Sequence, residues 1–217
     1  ERSKPKNISF EKTFKRIRQE SVDSFKLLKR YREFLKFCVC GLFYQAGIAV
    51  VITLSAVYAQ LVMKFTTAQT ITLILVVNIT AAIGAFVFGY VQDRLGHKKT
   101  LALTILLWII MGVMAAFSHG PVSFWIAANI AGIAMGSSQS AGRAVVAVFA
   151  PAGELAQFYS AWNVAVWGAN VLGPITYGTV TWLTSGDQRT AILVTTLFFV
   201  IGLLILRRVH LPSKTVC

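Results

Sequence analysis

Apolar residues run along the chain in six long blocks, at roughly 36–63, 68–92, 100–118, 121–148, 156–183 and 189–207. Short polar breaks separate them: Lys64 to Thr67, a connector over 89–99, Ser118 to Pro121, Pro151 to Glu154, and Ser185 to Arg189. No charged residue falls in 37–63 or in 65–92. Each of these runs is long enough for the roughly 20 apolar residues that cross a bilayer. Strands open to lipid would leave their backbone groups unsatisfied, and the blocks are too long for barrel strands. The pattern therefore predicts an all-α membrane protein with six transmembrane helices.

Composition sharpens this picture. Of 217 residues, 56% are hydrophobic and only 13% charged, where a soluble domain carries about 25%. The net charge of +13 raises nucleic-acid binding as a question. Over half of the 21 Lys and Arg residues, however, lie in positions 1–34, and most others sit at block ends. No RNA-binding fingerprint accompanies them, so nucleic acid is excluded as a partner. If the blocks cross in alternation, only Lys64 and Arg189 fall on one side and every other Lys and Arg on the other. The positive-inside bias then places both termini in the cytoplasm.

The arm over 1–34 places Phe10, Phe14 and Ile17, and then Phe25, Leu28 and Leu35, at helical spacing between basic residues. This is the pattern of a basic amphipathic helix lying among anionic lipid headgroups, or else of a solvated linker. Residues 209–217 read as a cytoplasmic tail. Cys38 and Cys40, two apart on a helix, point in different directions and read as small buried hydrophobes. No zinc spacing is present, and neither a metal nor another cofactor is expected. Glu1 rather than Met opens the chain, and no cleavable signal precedes the first block, so a longer polypeptide is expected.

The connector Gly89-Tyr90-Val91-Gln92-Asp93-Arg94-Leu95-Gly96-His97-Lys98-Lys99 asks for more than topology. A basic inside loop explains Arg94, Lys98 and Lys99. It does not explain Asp93, suited to the N–H groups of a neighbouring helix N-terminus. Gly89 would allow close helix approach, and Gly96 a tight reversal. The string resembles the signature loop of the major facilitator superfamily, G-x-x-x-D-R/K-x-G-x-R/K-R/K, between the second and third helices of each six-helix half. The stretches 43–59, 136–151 and 158–178 look like the later half of autophagy-linked vacuolar amino-acid effluxers, closest to their prokaryotic relatives. The resemblance implies one half, a 3+3 repeat, of a major facilitator fold, the arm standing where the loop joining two halves would be. It also implies a bacterial inner (plasma) membrane, a small-molecule solute, and a missing N-terminal six-helix half in the same polypeptide or a second copy. Relatives often carry an Asn-Asp pair where this chain has Gln45 and Ala46, which puts any coupling role of that acid elsewhere.

Candidate residues follow from burial cost and from the resemblance. Arg143, a charge inside a span, is either functional or an arginine snorkelling to headgroups. The resemblance implies that it joins Gly89, Asp93, Arg94, Gly96, Lys98 and Lys99 in a conformational latch. Asn163, Trp167, Asn170 and Pro174 share a helical face suited to a polar pathway, or to interhelical hydrogen bonding. Gly168, Gly173, Pro174 and Gly178 resemble a glycine–proline gate motif. In the first span the resemblance makes Tyr44 and Gln45 substrate contacts, with an aromatic belt as the alternative for the tyrosines. Asn78 and Gln139 are weaker pathway candidates. No Asp or Glu lies deep in a span, so this half shows no proton carrier.

Two other readings compete. Gly136 and Ser137 in the fourth span resemble rhomboid intramembrane proteases, but the sixth span lacks the histidine such a serine requires, and no enzyme is expected. A truncated module with a scaffold or interaction role would bury Gln45, Arg143, Asn163 and Asn170 in a closed interior. Half of a secondary transporter exporting amino acids or similar small solutes by alternating access would expose them.

Overall fold

A computed structural model describes residues 31–212. The amphipathic helix expected in the arm and the end of the expected tail lie outside these residues. Six helices follow in order: α1 Arg32–Leu61, α2 Thr67–Leu95, α3 His97–Ala116, α4 Pro121–Phe149, α5 Leu155–Leu183 and α6 Gln188–Arg207. Each overlaps one of the six apolar blocks, and no strand occurs among the described residues.

Local chemistry sets the helix ends. Thr66 and Gln69 form a reciprocal capping box that starts α2. Pro121 opens α4 at a position where its missing N–H costs nothing. Asp187 caps α6 by accepting from the Arg189 N–H at 2.9 Å. Gly96 separates α2 from α3 at φ 80° and ψ 160°, a region essentially restricted to glycine.

By their main contacts the helices run α2, α4, α3, α6, α1, α5, so α2 and α5 end the series. Small residues set the closest crossings. A Cβ added at Gly136 of α4 would lie 1.9 Å from the Ala81 carbonyl oxygen of α2, and one at Gly84 of α2 would meet the Ile133 backbone of α4. On α5, a Cβ at Gly173 would lie 2.2 Å from the Ala46 oxygen of α1. Two side chains could not fit such approaches, which is how helices gain contact area in lipid.

The largest core cluster fills one end of the bundle with rings. Phe37 stacks on Trp162 with centroids 4.9 Å apart, and Phe34 tilts against Phe158 at 4.5 Å. At mid-depth Trp108 of α3 stacks on Phe199 of α6 at 5.3 Å while its indole N–H donates to the Ser138 hydroxyl at 3.2 Å. Four helices, α1, α2, α3 and α6, are long and apolar enough to cross a membrane. The other two, α4 and α5, are 29 residues each but carry polar side chains such as Asn129, Gln139 and Arg143 or Asn163 and Asn170.

Candidate functional site

The signature loop sits where the pattern places it, between α2 and α3. Asp93, Arg94 and Lys99 are exposed, and among the described residues none forms an ion pair. Arg143 of α4 is likewise exposed; its carbonyl accepts from the Tyr159 hydroxyl at 2.9 Å, and no Asp93–Arg143 bridge forms. Nothing lies within 4 Å of a Cβ built on Gly89, so the described helices make no close approach there. Lys98 differs. Its ammonium donates to the Arg207 carbonyl at 3.1 Å and the Val209 carbonyl at 2.6 Å. It thereby satisfies orphan acceptors at the negative end of α6.

Beside Lys98 is a contact that the sequence did not suggest. Glu33, in the first turn of α1, accepts from the His210 N–H at 2.8 Å and from Lys36. Together with Lys98 it holds the segment after α6 against α1 and α3, with Val209 fully buried beneath. Glu33, the last acid before the first apolar block, is the one sequence signal that bears on this contact.

A cavity of about 260 Å³ lies toward the other end, between the C-terminal half of α1 and the N-terminal half of α2. Its wall is mostly apolar, including Trp108, Met111 and Met135, with Ser55, Tyr58, Asn78 and Tyr177 as its polar members. Asn78 is a pathway candidate from the sequence, and Val51, Ser55 and Tyr58 share one face of the first span at helical spacing; most of the apolar wall escapes a linear pattern, because wall and core residues look the same there. Asn78 is exposed, and its amide donates to the Ile74 carbonyl of its own helix at 2.8 Å.

The α5 candidates form one exposed strip. Asn163, Trp167 and Asn170 all face outward, Trp167 with 65% of its surface exposed. Gly168 and Gly178 are exposed on the same helix, Gly173 is packed against α1, and α5 continues unbroken past Pro174.

The first-span candidates are buried instead. Tyr44 is fully enclosed, its hydroxyl beside Gly142 and without a hydrogen bond of good geometry among the described residues. Gln45 is 4% exposed and receives only a long 3.5 Å contact from the half-buried Gln139. Of the four residues that separate a half-transporter from a sealed module, Asn163, Asn170 and Arg143 are exposed and only Gln45 is buried.

Six packed helices with this loop between the second and third define one half of a major facilitator fold. The backbone superposes on the E. coli fucose:proton symporter FucP with TM-score 0.72 at 19% identity, over 87% of this chain and 45% of that one. On the inward-open E. coli xylose transporter XylE the TM-score is 0.69 at 19% identity, over 82% of this chain and 47% of that one.

The chain belongs to the family described as vacuole effluxer Atg22 like, whose model matches residues 2–216. It is 27% identical to the uncharacterized MFS-type transporter YxiO of Bacillus subtilis over 94% of this chain and 46% of that protein. A putative metabolite transport protein of Haemophilus influenzae is 33% identical over 59% of this chain and 32% of its own length. The chain thus spans about half the length, or less, of the curated relatives it matches. It is an integral membrane protein of a transporter family, not an enzyme. The rhomboid reading falls with it: Ser137 donates to the Ile133 and Ala134 carbonyls, and His210 lies beyond α6 against Glu33.

Proposed function

We propose that this chain is the C-terminal six-helix half of a secondary transporter that exports amino acids or similar small solutes by alternating access. The supporting observation is the strip of Asn163, Trp167 and Asn170 on α5, which no helix among the described residues covers. Amides at membrane depth are costly against lipid and belong on a protein- or water-facing surface. A second half, in the same polypeptide or a second copy, faces this strip across a solute pathway that includes Asn78. Tyr44, Gln45 and Gln139 lie behind it and reach solute only when α1 and α4 move apart. Asp93, without an ion-pair partner among the described residues, docks on a helix N-terminus of that second half, and Arg143 works in the same latch. Both termini lie in the cytoplasm of a bacterial cell, with the protein in the inner membrane and the basic arm on anionic headgroups.

Solute exchange by the full-length polypeptide in proteoliposomes tests this reading. Labelled amino acids are expected to counterflow across the vesicle membrane. Asn170→Ala lowers the specificity of exchange about tenfold, the loss of one or two polar contacts to solute. Asp93→Asn slows exchange with insertion unchanged. Wild-type exchange rates in Asn163→Ala, Asn170→Ala and Asp93→Asn alike would sink both the pathway and the latch.

A further inference from the structure

Helices α3 and α6 pack against each other through the Trp108–Phe199 stack, and the Lys98 ammonium ties the start of α3 to the end of α6. On the outward side of α3, Leu103, Leu106 and Ile110 are exposed, and Lys99 is the next exposed residue on that face. Their spacing of four, three and four residues makes one continuous helical stripe. On α6, Leu197, Ile201 and Leu204 are exposed at the same spacing, and the stripe ends on the exposed Arg208. Two apolar stripes on contacting helices therefore each end in a cation, at the same end of the bundle.

Among the described residues those cations have no counter-charge. Lys99 and Arg208 form no ion pair among the described residues. Asp93, on α2, pairs with neither, and Glu33 is engaged by Lys36 and the His210 N–H. Lys98 donates to carbonyls, which leaves its positive charge uncancelled. Repulsion among uncompensated cations calls for an anion, and the apolar stripes ask for an amphiphile rather than a free ion.

We propose that the outward side of α3 and α6 holds an anionic phospholipid, its phosphate on Lys99 and Arg208 and its acyl chains along the two stripes. The lipid bridges the same helix ends that Lys98 joins, so it fastens α6 to the signature loop. The site is independent of which solute is carried and of whether solute is carried at all.

The test uses the full chain, delipidated in neutral detergent, titrated with phosphatidylglycerol while lipid adducts and melting temperature are followed. Phosphatidylglycerol is expected to bind and raise the melting temperature, whereas phosphatidylcholine does so far less. A cation at the surface contributes about fivefold in affinity, so Lys99→Ala with Arg208→Ala weakens binding roughly 25-fold. Lys99→Arg with Arg208→Lys keeps it within about twofold, and Lys64→Ala, at the opposite end, leaves it unchanged. Equal stabilisation by phosphatidylcholine would overturn the site, as would equal weakening in Lys64→Ala. Inorganic phosphate reproducing the full effect would overturn the lipid and leave a simple anion site. If the double alanine variant does not fold, the comparison of the two lipids on the unaltered chain decides.

Discussion

Lys98 and Lys99 are adjacent cations in one loop, and topology treats them alike. Packing does not. The Lys98 ammonium lies 2.6 Å from the Val209 carbonyl, whereas Lys99 touches no described partner. Lys98→Met is expected to destabilise the chain by about 1 kcal/mol, the net worth of a hydrogen bond at a partly solvated helix end. Lys99→Met leaves stability unchanged in lipid-free detergent, and melting curves of the two variants check the contrast. Asp187 carries a second residue-scale expectation. The Thr190 hydroxyl, then backbone N–H groups and Arg189, hold its carboxyl below the usual aspartate range. A depressed folded value means its stabilising contribution is present at neutral pH and lost as pH falls through that value. Asp187→Asn should therefore lower the melting temperature at neutral and basic pH and converge with the unaltered chain in acid, so that its acid limb is flatter. Profiles that superimpose at every pH would remove this role.

At the scale of elements, the six helices were legible because membrane helices announce themselves by unbroken apolar length. Three of their starts lie in the polar breaks between blocks, where Thr66 and Asp187 cap a helix and Pro121 opens one. The seams were not legible. Gly136 stands in the sequence beside Ser137 and at the head of a family-like stretch, with no sign of a crossing, yet its missing side chain lets α4 reach the α2 backbone. Gly136→Ala is expected to force these helices apart, at about 1–3 kcal/mol, the usual range for overpacking. Gly178→Ala, where nothing lies within 4 Å, is tolerated without a packing cost. Yields of monodisperse protein and melting temperatures distinguish the two. Equal losses at both positions would show that the α2–α4 crossing is looser than described. Seams escape a linear reading because a glycine records the absence of an atom, and its partner is set by distant backbone.

Across the whole molecule, two kinds of outward surface coexist, and exposure alone does not separate them. The α5 strip carries Asn163 and Asn170, whereas the outer side of α3 carries Ile110 and Leu106. Cysteine placed at each should tell water from lipid in membrane-embedded protein, because thiolate forms only where water reaches. Asn163→Cys and Asn170→Cys are expected to react with a water-soluble maleimide at least tenfold faster than Ile110→Cys. Equal and slow rates at all three would place the α5 strip against lipid and remove the pathway.

The sequence by itself determined the membrane class, six helical segments, the charge asymmetry and the signature loop, because each depends on composition or spacing within a short window. Only the tertiary structure decided that Tyr44 and Gln45 are buried, that Lys98 caps α6, and that apolar residues from several helices enclose a cavity. It also set Asp93 and Arg143 apart, both exposed and unpaired among the described residues. The physical reason is common to all four. Burial, hydrogen bonding and ion pairing depend on which residues from distant segments meet, and that is settled by how close the helices can pack.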